Sequence, residues 1–169
     1  MKKLMYSFAA LALTASFAAC GGKTEGGTDA TDSVKDTTAV MTPTNYLENE
    51  DLGVTCPDGW EIKDGGFDYI EMEDVNSKET FKPIIKVRTI KDKDLKFYED
   101  YYLNKTKGTV KGADVTYGEY TFKTFRDDNS KLYHCFAELS DGRLLEVYTV
   151  YMEPEAEVVK PVVESIKLK

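Results

Sequence analysis

The sequence predicts an α+β domain, an antiparallel β-sheet with helices laid over it. Three observations predict it. Runs of alternating side chains at 116–125, 131–139 and 143–152 are joined by Asp127-Asp128-Asn129-Ser130 and Ser140-Asp141-Gly142, connectors with hairpin chemistry. The last run is apolar on both sides, with Leu144, Tyr148, Val150 and Met152 against Leu145, Val147 and Tyr151. Such a strand belongs in the middle of a sheet covered on both faces. Two segments of helical character, 94–106 and 154–165, qualify as the cover.

Taken in order, the elements of the folded part start at residue 45. Gly53-Val54-Thr55-Cys56 reads as a short strand, closed by the turn tripeptide Pro57-Asp58-Gly59 and followed by Trp60-Glu61-Ile62. After Gly65-Gly66 the run 67–72 alternates Phe67 and Tyr69 against Asp68, Ile70 and Met72. Pro83 opens a strand at 84–90, where Ile85, Val87 and Thr89 alternate with Lys86 and Arg88. The first helix has Asp92 or Asp94 as N-cap, places Leu95, Tyr98 and Tyr102 on one face, and stops at Gly108. The second has Pro154 in its first turn, acids at its positive end, and Val158, Val159, Val162 and Val163 inward; Pro161 should kink or shorten it.

Charge excludes one class of function. The net charge of −8 lies entirely in residues 45–169, with −9 over 45–79, +5 over 80–126 and −4 over 127–169. A field of this sign repels phosphate backbones, so nucleic acid is not an expected partner. The cluster Lys105, Lys107 and Lys111 is a local exception that could meet an acidic partner, or form a solvated loop.

The beginning of the chain reads as an export signal. Lys2 and Lys3 precede an apolar run from Leu4 to Ala19, which ends in small residues before Cys20. As a helix this run would reach about 24 Å, short of the roughly 30 Å hydrocarbon core of a bilayer. Phe17-Ala18-Ala19-Cys20 resembles the lipobox of bacterial lipoproteins. That resemblance implies cleavage before Cys20, lipid on its sulfur and an acyl chain such as palmitate on its amine. Gly21, in place of the aspartate that retains lipoproteins in the inner membrane, implies an outer-membrane address. An ordinary secretory signal cut near Ala18 or Ala19 is the alternative.

Residues 21–44, with four glycines, seven threonines and three aspartates, read as a flexible tether reaching about 27 Å. The expected organisation is therefore a signal peptide at 1–19, lipidated Cys20 and tether over 20–44, and one domain at 45–169. Asp32-Ser33-Val34 and Asp36-Thr37-Thr38 resemble bacterial O-glycosylation sequons, within what otherwise reads as a bare linker.

The opening Asn49-Glu50-Asp51-Leu52-Gly53-Val54-Thr55-Cys56-Pro57-Asp58-Gly59-Trp60 and the closing Val162-Val163-Glu164-Ser165-Ile166-Lys167-Leu168-Lys169 are similar to the start and end of the PsbP/Mog1 family. The resemblance implies an antiparallel central sheet flanked by helices in an αβα sandwich. It also implies a binding or accessory module rather than an enzyme, because family roles include accessory subunits, a small-GTPase binder and many bacterial lipoproteins.

Chemistry-bearing residues are few. Cys56 and Cys135 permit a disulfide in an exported domain, or two small buried thiols. His134 and Cys135 are strand neighbours and point to opposite faces, so they form no dyad. With His134 the two cysteines supply at most three zinc ligands. Asp92-Lys93-Asp94 starts like an EF-hand loop but has Phe97 where glycine is required. Glu71, Glu73 and Asp74 read as a solvated edge or a loose cation site. No metal and no cofactor is therefore expected.

Tyr98, Tyr101 and Tyr102 cannot all face inward from one helix, which makes them a candidate ligand or partner surface, set against the more ordinary reading of core packing with the hydroxyl at the rim. The function expected is a lipid-anchored, non-enzymatic accessory or binding module of the cell envelope with a protein partner. The alternatives are a small-ligand carrier with a pocket between sheet and helix, lined by Tyr98, Tyr102, Phe122 or Phe136, and an enzyme built on Cys56 or on a carboxylate cluster.

Overall fold

The computed structural model describes residues 45–169. The expected signal peptide, Cys20 and the expected tether lie outside them. β1 (Tyr46–Glu48) and β2 (Leu52–Thr55) form a hairpin, and β11 (Lys167–Leu168) pairs with β2 to complete a three-stranded sheet. β3 (Trp60–Gly66), β4 (Tyr69–Asp74) and β5 (Ile84–Ile90) form an antiparallel meander. Then come α1 (Leu95–Asp100), a π-helical turn (Tyr101–Lys105), and the short strands β6 (Val110–Lys111) and β7 (Val115–Tyr117). β8 (Tyr120–Asp127), β9 (Leu132–Glu138) and β10 (Leu144–Val150) form a second meander, followed by α2 (Val159–Glu164). The large sheet runs β3-β4-β5-β10-β9-β8-β6, with β7 paired to β8, and every pairing is antiparallel.

β10 lies at the centre of this order, as its two-sided apolarity requires. Leu145 and Val147 face the main core, where Val159, Val162 and Val163 of α2 and Leu52 and Val54 of β2 cover the sheet. Leu144 faces a smaller core on the other side with Ile90, Phe125 and Phe136, under Leu95, Tyr98 and Tyr102.

The expected αβα sandwich is corrected. The described residues are mostly antiparallel β, and the two α-helices among them have six residues each. Six helical residues span about 9 Å, whereas seven strands side by side span roughly 29 Å, so neither helix can cover a face. On one face the three-stranded sheet shares the cover with α2. On the other, beyond the reach of α1, a ladder of ion pairs meets solvent: Glu71 with Lys86 (2.6 Å) and Lys63 (3.1 Å), and Glu73 with Lys82 (2.9 Å) and Lys63 (3.3 Å).

Both helices are shorter than their periodicity suggests, for local reasons. Asp94 caps α1 through Phe97 N at 2.8 Å, but the α-helix yields at Tyr101 to a wider turn closed by Thr106 N on Tyr101 O. Residues 153–158 form turns, and α2 starts only at Val159. That start leaves Pro161 in the first turn, where its missing N–H breaks no helical bond. The expected strand 116–125 is instead a hairpin, folded at Gly118. No helix among the described residues is long and apolar enough to cross a membrane.

Candidate functional site

A pocket of about 780 Å³ opens at one end of the large sheet. Its walls are the β1–β2 turn, the tip of the β3–β4 hairpin, the last residues of β5 and Tyr98 of α1. This volume lies within the range of ordinary ligand sites. The pocket exists because β5 outruns its neighbour. β5 pairs with β10 as far as Ile90, but β4 pairs with β5 only from Ile84 to Val87.

The β3–β4 tip shapes one wall in a costly way. A bulge lies between Asp64 and Gly66, and the two loop residues Phe67 (φ 52°) and Asp68 (φ 65°) are both left-handed. A two-residue turn with positive φ at both positions favours Asn-Gly. A phenylalanine there carries a steric cost of roughly 1–2 kcal/mol. Its ring nevertheless stands 89 % exposed. The expected strand at 67–72 is corrected accordingly: Phe67 and Asp68 are the turn, and β4 starts at Tyr69. Asn49 Nδ2 donates to Asp68 O (3.0 Å), joining the two turns that flank the pocket.

Tyr69 and Arg88 line the pocket and anchor it to a buried carboxylate beneath. Glu146, wholly buried on β10, accepts from Tyr69 Oη (2.7 Å), Arg88 Nε (2.7 Å) and His134 Nδ1 (2.8 Å). Burial alone would raise its pKa. The His134 and Tyr69 hydrogen bonds and the Arg88 charge outweigh burial and hold the carboxyl below its ordinary value. The guanidinium of Arg88 also lies 4.3 Å from the centre of the Tyr69 ring.

His134 is a clamp in this geometry. Its ring lies 4.1 Å from Tyr148 and 4.5 Å from Tyr102, centre to centre, stacked on both. Glu146 Oε1 and Tyr102 Oη (3.0 Å) converge on the same nitrogen, Nδ1. With Glu146 ionised, Nδ1 carries the proton that Oε1 accepts.

The sequence-derived candidates divide. Tyr98 lines the pocket and stacks on Phe136 at 4.5 Å. Tyr102 is committed to His134, and Tyr101 is 45 % exposed. Phe136 is buried under α1, whereas Phe122 belongs to the core of the opposite face. Tyr98, Tyr102, Phe122 and Phe136 thus line no common cavity. Lys105 pairs with Asp100 and Lys111 with Glu99, each at 2.8 Å. Among the described residues no group of three or more His, Cys, Asp or Glu side chains is placed to hold a metal ion.

Of the two states open to the cysteines, the structure carries free, buried thiols and no 56–135 bridge. Burial pushes Cys56 up to about 11 and Cys135 up to about 12. Cys56 also packs in the core on the sheet face opposite His134. Glu146, Arg88 and Tyr69 escaped the sequence reading. The one signal was Glu146, the single charged residue of β10; Arg88 alternates with Lys86 as on any polar strand face.

No protein-family model and no curated protein matches the chain. A solved crystal structure from Bacteroides thetaiotaomicron VPI-5482 is similar at 10% identity and a TM-score of 0.43, covering 70% of this chain and 45% of that one. This chain thus spans under half of that protein's length, and a similarity this loose bears on neither fold nor function.

Glu146→Gln removes the charge at nearly constant volume and strands Arg88. It is expected to cost about 3–5 kcal/mol in urea unfolding at pH 7. The Glu146 contribution is complete above the ordinary carboxyl value of 4.5 and is lost as pH falls below it toward the depressed native value. The gap between wild type and variant should therefore narrow below about pH 4.5; a gap independent of pH refutes the assignment. Both thiols should react with iodoacetamide at pH 8 at least about a hundredfold more slowly in the native state than in guanidinium.

Proposed function

We propose that this chain is a non-enzymatic binding module of the bacterial cell envelope, held by a lipid on Cys20, with the outer membrane as its address. Its folded domain captures a protein partner at the pocket between the β1–β2 turn and the β3–β4 tip. The observation that carries the reading is Phe67. A large apolar ring is held in a left-handed turn and 89 % exposed at the pocket rim. Folding by itself favours neither feature, and backbone strain of this kind gathers where binding needs it. Exposed aromatic side chains of this sort are common anchors in protein interfaces.

The accessory role is further supported by the state of the reactive groups. Both thiols are held protonated by burial, and His134 is fixed between two rings and a carboxylate. The leader and the glycine- and threonine-rich segment after Cys20 support an anchored module standing off the bilayer.

Two measurements test the reading. Mass spectrometry of the mature N-terminus should find an acylated Cys20, and an unmodified Gly21 or Cys20 terminus overturns the anchor. A photo-crosslinking residue at position 67, activated in intact envelopes, should recover one protein that the same residue at position 119 does not. Recovery of nothing at 67 overturns the binding site. The pair Phe67→Asn and Asp68→Gly should raise stability by about 0.5–2 kcal/mol while weakening capture of that protein.

A further inference from the structure

Building on the proposed binding site, we infer that the pocket is an empty strand position, which takes an extended, lysine- or arginine-bearing segment of the partner polypeptide alongside the end of β5. The argument starts from pairing. Arg88, Thr89 and Ile90 are paired to β10 on one side, whereas the pairing of β4 with β5 ends at Val87, so no strand pairs with their other edge, which lines the pocket. A strand edge with unpaired N–H and C=O groups is a template for an added chain.

The pocket lining has the alternation that such a chain needs. Tyr69 and Arg88 come from the sheet face that carries α1, whereas Ile70 and Thr89 come from the face that carries α2. Successive side chains of an added strand would point to these two faces in turn.

Charge identifies the class of occupant. The two cations in the wall are already engaged, Arg88 by Glu146 and Lys91 by Asp51. Glu50, Asp64, Asp68 and Asp92 also line the pocket and have no cationic partner among the described residues. Four uncompensated carboxylates around a strand-sized gap favour basic side chains and reject acidic or phosphorylated ones.

The test uses the full lipidated chain in detergent micelles and short fluorescent peptides read by anisotropy. The probes are an alternating Lys/Val peptide, its Glu/Val counterpart, and the Lys/Val peptide N-methylated at alternate backbone nitrogens. Saturable binding of the Lys/Val peptide is expected, weakened about tenfold or more by N-methylation and by Asp68→Asn with Asp92→Asn, two exposed positions that leave the fold intact. Equal binding of the N-methylated peptide overturns strand addition, and equal binding of the Glu/Val peptide overturns the charge preference. If no peptide binds while the position-67 crosslink persists, the strand position is refuted and the binding site survives. Loss of the crosslink itself refutes the site.

Discussion

A carboxylate with no access to water has to be neutralised where it lies, and much of this fold can be read as the consequence for Glu146. Its two oxygens take hydrogen bonds from Tyr69 on β4, Arg88 on β5 and His134 on β9. One ionised group in the central strand thereby ties together side chains from three other strands. Tyr102, stacked on His134, extends the link to the helical segment above. Desolvation of the charge is offset only while all these partners are in place. The network therefore favours one arrangement of sheet and helix over the alternatives that an apolar core would tolerate.

The same network explains why the two faces of the sheet differ. The core of the α2 face is filled mainly by aliphatic side chains, because the buried carboxylates Glu71 and Glu146 both point to the other face. On the α1 face the aromatic cluster around Phe136 gives way to Glu146 and Arg88, and then to the Lys–Glu ladder at the open end. A cover of six helical residues suffices for the aromatic part. The ladder needs no cover, because long charged side chains shield the sheet surface with their own methylenes.

The pocket belongs to this asymmetry. β4 stops pairing at the point where Tyr69 and Arg88 turn to Glu146, and the chain then bends away through a left-handed tip. What remains is a short unpaired edge, floored by residues anchored from below and ringed by acids. A strained, exposed aromatic at the rim is a feature that stability alone would discard.

The sequence by itself determined where the long strands of the two meanders lie, to within a turn at Phe67-Asp68 and another at Gly118, because period-two alternation and turn residues are local. Residues 84–90 form a strand at the bounds expected, and Asp94 caps its helix. The faces of His134 and Cys135, the acidity of the first third and the placement of β10 between covered faces were legible for the same reason. The length of the cover was not: helical periodicity over 154–165 does not say that turns will occupy 153–158 until packing places Pro161 in the first helical turn. Nor could one chain read in order show that Tyr69, Arg88, His134 and Glu146 meet, since they lie on four strands and only the β5–β10 crossover brings them together. The pocket was equally invisible, because it is made by a strand that ends three residues before its neighbour, and register between strands is decided by tertiary packing.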